Sequence, residues 1–181
     1  MQVEPTEIPE VLVVTPPVFG DERGFFTEAF NLAAFEQATG IRRMWVQDNH
    51  SRSGRGVLRG LHFQNPQPQG KLVRCAAGAI YDVVADIRRS SPTFGSWVGV
   101  ELSGENFRQL WVPEGFAHGF LVLSETADVL YKATDYYLPE GDRAVRWDDP
   151  TLAIDWPIQG TPVISDKDNA APLLNDADLF A

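Results

Sequence analysis

Short runs of apolar residues recur along the chain, and glycines and prolines separate them. Runs of this length with period-two alternation are typical of β-strands joined by turns. In residues 79–87 (AIYDVVADI), alternate side chains fall on opposite faces, and both aspartates share a face with Val84, so we expect a half-buried strand. Along the whole chain, the pattern predicts strands at Leu12–Val14, Gly24–Phe30, Met44–Asn49, Val57–Gln64, Lys71–Ala76, Ala79–Ile87, Trp97–Leu102, Arg108–Val112, Gly119–Leu123 and Ala127–Tyr137.

One segment has the signals of a regular helix. Asn31 can cap the first turn of a helix over Leu32–Thr39, and Gly40 can supply the left-handed residue that follows its last turn. Shorter helical turns are expected near Asp168–Asn175. The long crossover helices of a βαβ fold have no place in this pattern, so the sequence predicts an all-β sandwich or jelly roll.

Length and composition predict one domain over residues 1–181. The 181 residues are 44% hydrophobic and 11% aromatic, which suits one well-filled core but not two. From about residue 147, Asp, Pro and Ala are frequent, and we predict an irregular C-terminal arm packed over the body. Cys75 is the single cysteine, which excludes an internal disulfide, and its strand-like surroundings favour a small buried side chain.

Charge and hydropathy argue against two kinds of partner. The formal net charge is −10, from 25 acidic and 15 basic residues, so the average field repels nucleic acid. A phosphate-bearing ligand therefore needs a local cluster of arginine and lysine, because screening weakens charge effects beyond about 10 Å. No apolar run approaches the roughly 20 residues of a membrane helix, and the N-terminus lacks signal-peptide features, so we expect a cytoplasmic protein without a membrane partner.

The histidines do not form the pattern of a metal site. A metal-binding jelly roll normally presents two histidines one residue apart on a strand, together with a carboxylate and a third histidine. Here His62 is followed by Phe63 and Gln64, so the paired arrangement is missing and we predict no metal. Taken singly, each histidine is better explained as a hydrogen-bonded structural residue. The three are His50, His62 and His118.

His62 is the strongest candidate for proton transfer among them. Arg59 lies close to it in the sequence, and we expect Gly60 to let a ligand approach the strand. A neutral imidazole removes protons near neutral pH when a carboxylate fixes its tautomer and stabilises the resulting cation. Asp168 is a candidate for that carboxylate, but its long separation in sequence provides no geometric argument for the pair.

Motifs in one order along nearly the whole chain carry a family resemblance. They resemble the successive motifs of the dTDP-4-dehydrorhamnose 3,5-epimerase family. The resemblance implies a cupin-type jelly roll that works without metal or organic cofactor. It also implies a homodimer with exchanged N-terminal strands. The motifs are DERGFFTEAF (21–30), QDNHSRS (47–53), RGLHFQ (59–64), QGKLVRC (69–75), SPTFG (91–95), VPEGFAHGF (112–120), YKATDYY (131–137) and SDKDNAAPLL (165–174).

The resemblance implies catalytic roles for four residues. His62 matches the general base, and Asp168 matches the carboxylate that orients it. Tyr131 matches the acid on the other face of the sugar ring, and Lys71 matches the cation beside the ketone oxygen. Removing a proton next to a carbonyl builds negative charge on its oxygen, so a positioned ammonium stabilises the transition state. Without the resemblance, Lys71 would be interpreted as an exposed edge-strand lysine and Tyr131 as a packed aromatic residue.

The resemblance also implies a set of substrate contacts. Arg23 and Arg59 match diphosphate contacts, for which the planar guanidinium is well suited because it donates paired hydrogen bonds. Tyr137 matches the aromatic residue that stacks on thymine. Asp142 stands where the family often has the longer glutamate. The remaining implied binding residues are Glu28, Gln47, Asp48, Asn49, His118 and Lys167.

The implied reaction is epimerisation at C3 and C5 of dTDP-4-dehydro-6-deoxy-D-glucose to dTDP-4-dehydro-L-rhamnose. Relatives that invert only C3 or only C5 would use the same residues, so the sequence leaves both possibilities open. A catalytically inactive sugar-nucleotide-binding module is disfavoured, because His62, Lys71, Tyr131 and Asp168 are all present. A metal-dependent cupin oxygenase or isomerase would need more ligands than the sequence offers.

Overall fold

The computed structural model describes residues 1–181, and most of its regular structure is β-strand. Its α-helices are α1 (Leu32–Thr39) and α2 (Asp166–Asn169), and a 3₁₀ turn spans Pro139–Gly141. The strands are β1 (Gln2–Pro5), β2 (Leu12–Thr15), β3 (Val18–Asp21), β4 (Gly24–Thr27), β5 (Gln47–Gly54), β6 (Leu58–Gln64), β7 (Lys71–Ala77), β8 (Ala79–Asp86), β9 (Trp97–Ser103), β10 (Gln109–Val112), β11 (Phe116–Val122), β12 (Thr126–Ala133) and β13 (Asp142–Ala144).

Two antiparallel sheets face each other across an apolar core. The first sheet has six strands in the order β1–β2–β10–β7–β12–β5, and the second has five in the order β13–β6–β11–β8–β9. Strands β3 and β4 form a separate hairpin. The core takes Val73 and Leu110 from the first sheet and Val84 and Phe120 from the second. The prediction of an all-β jelly roll is therefore confirmed.

Strand β8 is buried on both faces, so the expectation of a half-buried strand is wrong. Val84 faces the core between the sheets, whereas Val83 belongs to a second apolar cluster on the outer side of the five-stranded sheet. Asp82 and Asp86 are each 0% exposed. A buried carboxylate needs partners, and these are His118 for Asp82 and Arg88 for Asp86. The outer face, which carries Val83, is buried by a separate cover.

The C-terminal arm supplies that cover. Leu152, Trp156 and Leu174 pack in the same cluster as Val83 on the outer face of the five-stranded sheet. The arm has little regular structure, and the buried Asp149 carboxylate joins its two stretches. Its oxygens accept hydrogen bonds from the backbone N–H groups of Leu152 at 2.9 Å and Leu174 at 2.8 Å.

Helix α1 has the predicted bounds and caps. Asn31 Oδ1 accepts a hydrogen bond from the Ala34 N–H at 3.1 Å, and Gly40 has a φ of 74°. Phe35 is fully buried against Trp111 on the outer face of the six-stranded sheet. Helix α2 begins before the predicted helical turn, because Ser165 caps it. Neither helix is long and apolar enough to span a membrane.

Several strand bounds differ from the prediction. Strand β5 lies later than predicted, because Trp45 packs in the aromatic cluster around α1 instead of extending the strand. Strand β12 ends at Ala133, before Tyr137. The short polar strands β1, β3 and β13 were not predicted. Cys75 is buried as expected, and burial raises the pKa of its thiol to about 11.

Candidate active site

A polar cavity of about 320 Å³ opens between the two sheets. Most of the predicted site residues line it, and they come from both sheets. Ser51, Gln64, Gln69 and Phe120 also line it and were not predicted as site residues. The predicted residues along its wall are Asn49, Arg59, His62, Lys71, His118, Tyr131, Tyr137, Asp142 and Lys167.

His62 is paired with the predicted carboxylate. Its Nε2 lies 2.7 Å from Oδ1 of the buried Asp168, which α2 places behind the imidazole. Burial alone would raise the pKa of Asp168, but hydrogen bonds from His62, Gly60 and Ser165 outweigh it and hold the pKa below its usual value. The ionised carboxylate accepts hydrogen bonds only, so Nε2 carries the proton. His62 Nδ1 is left with the free lone pair of a base.

A β-bulge brings Arg59 and His62 to the same cavity. Side chains three residues apart on a regular strand point to opposite faces. Here Arg59 pairs with Phe120 and His62 with His118, so β6 carries one more residue than β11 between these pairs. The extra residue re-aims the side chains, as bulges near active sites commonly do.

Gly60 is required by the neighbouring strand, not by the approach of a ligand as we expected. Its φ is +126°, and an added Cβ would lie 2.5 Å from Gly119 Cα. The close approach of β6 to β11 therefore excludes a side chain. It also lets the Gly60 N–H donate to Asp168 Oδ2 at 3.3 Å.

Lys71 lies in a dense part of the cavity wall. One side of it is open to the cavity, but burial of the amine lowers the pKa of Lys71 to about 8. The negative charges of Asp82 and Asp142 act in the opposite direction and favour the ammonium form. Near neutral pH the cation is present and incompletely solvated, which strengthens its attraction for a developing oxyanion.

A second carboxylate–imidazole pair lies deeper and was missed in the sequence. His118 Nε2 lies 2.8 Å from Oδ1 of Asp82, and both side chains are buried. Asp82 Oδ2 has no hydrogen-bond partner. Such an unpaired oxygen is costly unless a cation balances its charge, and the ammonium of Lys71 interacts with the charge of Asp82. Two aspartates in a valine-rich strand were the available sequence signal.

Tyr131 occupies the wall opposite His62. It belongs to β12 of the six-stranded sheet, whereas His62 belongs to β6 of the five-stranded sheet. Burial raises the pKa of the phenol; the charge of Arg59 opposes this shift and that of Asp142 adds to it. The phenol therefore keeps its proton at neutral pH, as an acid requires.

The rim carries the predicted nucleotide contacts. The Arg59 side chain is exposed at the cavity, and its Nε donates to Ser53 Oγ at 3.1 Å. The Tyr137 hydroxyl donates to Asp142 Oδ2 at 3.1 Å, and Lys167 pairs with the same carboxylate. Asp142 therefore orients its two neighbours in this structure.

Three adjacent residues of β5 have different surroundings. Asn49 lines the cavity; its Oδ1 accepts a hydrogen bond from Gln47 Nε2 at 3.0 Å, and its buried Nδ2 has no partner. Gln47 Oε1 instead accepts the Tyr137 N–H at 2.9 Å. Asp48 pairs with Lys132 at 2.9 Å in a different cavity of about 340 Å³, on the outer face of the six-stranded sheet.

Two further predicted binding residues, on or next to the β3–β4 hairpin, lie away from this chain's cavity. Arg23 is at the tip of the β3–β4 hairpin, where it pairs with Asp21, and its side chain is 85% exposed. Glu28 follows the hairpin and is also exposed. No group of three or more His, Cys, Asp or Glu side chains is arranged to hold a metal ion.

Known proteins are similar to this chain in sequence and architecture. A family model described as dTDP-4-dehydrorhamnose 3,5-epimerase matches residues 5–176. The enzyme of that name from Pseudomonas aeruginosa is 58% identical over 173 residues, which is 96% of each chain.

Solved structures of similar sequence have the same fold as this chain. A Legionella pneumophila dTDP-6-deoxy-D-glucose-3,5-epimerase in complex with dTDP-4-keto-L-rhamnose is 56% identical, with a TM-score of 0.94 over 96% of this chain and 93% of that one. ChmJ, a 3'-monoepimerase from Streptomyces bikiniensis in complex with dTDP-quinovose, is 36% identical, with a TM-score of 0.89 over 97% and 88% of the chains. The chain belongs to the dTDP-4-dehydrorhamnose 3,5-epimerase family.

Proposed function

We propose that the protein epimerises C3 and C5 of dTDP-4-dehydro-6-deoxy-D-glucose to give dTDP-4-dehydro-L-rhamnose. The observation that carries this proposal is the placement of a histidine base and a tyrosine acid on facing sheets of one cavity. His62, backed by Asp168, lies on one wall, and Tyr131 lies on the other. Inversion at carbon requires a proton to leave one face and another to arrive on the opposite face.

In the first step, His62 Nδ1 takes the proton from the carbon next to the C4 ketone. The electron pair of the broken C–H bond forms the enolate, and negative charge moves to the ketone oxygen. Asp168 stabilises the imidazolium that forms, as a carboxylate at hydrogen-bond distance does. Lys71 supplies the positive charge for the enolate oxygen.

In the second step, the Tyr131 hydroxyl delivers a proton to the opposite face of the same carbon. The enolate electron pair forms the new C–H bond, and the ketone is restored. The phenolate then takes a proton from water, and His62 gives its own proton to water. The same pair of residues serves C3 and C5, because both carbons flank the one ketone.

An epimerase that inverts only one centre is the second candidate. The similarity to the 3'-monoepimerase ChmJ supports this candidate, since the same residues would catalyse inversion at a single carbon. Incubation with dTDP-4-keto-6-deoxyglucose in deuterated water, followed by NMR, tests both candidates. Deuterium and inversion at C3 and C5 are expected. Inversion at one carbon would establish the second candidate, and an absence of exchange would indicate an inactive binding module.

The proposal includes a homodimer in which the β3–β4 hairpin of each subunit completes the partner's site. The hairpin carries Phe19, Phe25 and Phe26, which are 62–68% exposed. Large exposed apolar surfaces of this kind are typical of interaction sites. The outer cavity beside edge strand β5, lined by Phe30 and Leu130 among others, offers an apolar seat for these side chains. This arrangement would place Arg23 next to the substrate bound by the partner subunit, because Arg23 lies away from the cavity of its own chain.

Mixed dimers provide a direct test. Arg23→Ala and His62→Ala are each expected to have a lower kcat/KM than the wild type. For Arg23→Ala the decrease should be about 10- to 100-fold, because a charge-assisted contact to phosphate is lost. If hairpins are exchanged, co-refolding the two variants restores one intact site in every mixed dimer. Half of the dimers are mixed, so activity should recover to about a quarter of the wild-type value.

The matched control uses two defects in one cavity. Arg59→Ala mixed with His62→Ala leaves every site defective, because both residues lie on β6. This mixture should show no recovery. Equal recovery in both mixtures, or recovery in neither, would contradict the exchanged hairpin.

The charge on Lys71 predicts a pH dependence. Lys71 loses its proton as the pH rises through about 8, so kcat/KM should fall above that pH. Asp82→Asn removes a negative charge that favours the ammonium, so the alkaline limb should move to lower pH. Asp148→Asn, which changes an exposed arm carboxylate, should leave the limb in place. An unshifted limb in Asp82→Asn would contradict the role of Asp82. The other titratable groups facing the cavity are His50, Arg59, His62, His118, Tyr131, Tyr137, Asp142 and Lys167.

A further inference from the structure

The segment that carries Tyr137 has left the sheet. Strand β12 ends at Ala133, and residues 134–138 have no regular structure before the 3₁₀ turn begins at Pro139. Tyr137 itself is 54% exposed. A backbone of this kind is normally mobile unless its polar groups have partners.

Glutamine side chains supply those partners. Gln64 is central: its Nε2 donates to Tyr136 O at 3.1 Å, and its Oε1 accepts the Leu138 N–H at 2.8 Å. Gln47 Oε1 accepts the Tyr137 N–H at 2.9 Å. The four residues, which we term the glutamine clasp, are Gln47, Gln64, Gln67 and Gln69.

The other two members hold the start of the segment. Gln69 Nε2 donates to Asp135 O at 2.7 Å, and Gln67 Nε2 donates to Asp135 Oδ1 at 2.8 Å. Gln64 also donates to Gln67 O at 2.6 Å, which ties the loop after β6 to the same network. The clasp thus holds consecutive residues from Asp135 to Leu138.

The burial of Gln64 makes the network costly to disrupt. Gln64 is only 4% exposed. Its side-chain amide makes three of the four hydrogen bonds that an amide can make. Replacing it with an apolar side chain would leave two backbone groups of the segment without partners. Rigidity of the segment, rather than packing, is what these contacts provide.

We propose that the glutamine clasp holds Tyr137 as a preformed platform for the nucleotide base, so that it controls nucleotide affinity and not proton transfer. The proposal rests on the assignment of Tyr137 as the stacking residue under the proposed function. The clasp fixes the backbone on both sides of Tyr137, and Asp142 holds the hydroxyl at the far end of the ring. A ring already in place loses less entropy when a base stacks on it. The clasp glutamines are positioning residues.

A double-mutant cycle tests this coupling. Calorimetry would measure the Kd of dTDP and of inorganic pyrophosphate for Tyr137→Ala, Gln64→Leu and the double variant. Tyr137→Ala should weaken dTDP by about 10- to 100-fold, and Gln64→Leu by about 10-fold. The double variant should be no weaker than Tyr137→Ala. Pyrophosphate affinity should stay within about twofold throughout, because the clasp acts through the base platform.

Kinetics and controls complete the test. Gln64→Leu should raise KM more than it lowers kcat, and Gln37→Leu, an exposed glutamine on α1, should match the wild type. If Gln64→Leu lowers the melting temperature severely, the half-buried Gln69→Leu replaces it with a smaller expected loss of dTDP affinity. Additive losses, equal losses for pyrophosphate and dTDP, or full dTDP affinity in Tyr137→Ala would overturn the clasp proposal. A wild-type protein that binds dTDP but exchanges no deuterium would instead defeat the epimerase proposal.

Discussion

His62→Ala is expected to fold normally and to lose exchange at both C3 and C5 by at least about 100-fold, since general bases commonly contribute 10²–10⁴. The structure offers His62 Nδ1 as the free nitrogen of the imidazole, and Asp168 holds Nε2 at 2.7 Å. Removing the imidazole takes away the proposed base, and the other imidazole of the same sheet that lines the cavity, His118, is buried against Asp82. The measurement is deuterium incorporation from deuterated water, followed by NMR at each carbon.

Two comparisons identify the cause of such a loss. His62→Ala should keep the dTDP affinity of the wild type, because the residues predicted to contact the nucleotide lie at the rim. Asp168→Asn should lose less than His62→Ala, because the imidazole remains but its orientation and cation are poorly supported. Exchange near the wild-type rate in His62→Ala would mean that another group removes the proton.

Elements governed by local chemistry were predictable from the sequence. Helix α1 begins and ends as predicted because Asn31 and Gly40 act within one turn of the chain. The character of β8 was not predictable from its alternation. Its second buried face depends on the C-terminal arm, and residues such as Trp156 pack on it from far along the sequence.

In the candidate site, too, features set by local sequence were predictable and features set by pairing between strands were not. The positions of His62 and Lys71 follow from motifs, but the strand spacing alone would have placed Arg59 on the face away from His62. The β6 bulge that corrects this depends on pairing with β11. Asp82 was missed because its partner, His118, lies on a neighbouring strand. Pairing across strands is a tertiary property, and a single sequence does not display it.

Tyr131→Phe is expected to separate exchange from inversion. His62 and Tyr131 lie on facing sheets, so each reaches one face of a sugar ring between them. In the variant, His62 still removes the proton and Lys71 still faces the enolate oxygen. The acid on the second face is missing, because a phenyl ring has no proton to give. The imidazolium, after exchange with deuterated solvent, then returns a deuteron to the original face.

The expected result is deuterium at C3 without matching inversion, with exchange exceeding epimer formation by at least about 100-fold, the lower end of the range for a lost general acid. Tyr81→Phe is the matched control, because Tyr81 is a half-buried phenol in the cluster beneath the C-terminal arm, outside the cavity. It should retain the wild-type ratio of exchange to inversion. Wild-type inversion in Tyr131→Phe would assign the acid to another group or to water. An equal loss of both would make Tyr131 a substrate-positioning residue, because the first proton transfer would then depend on it as much as the second.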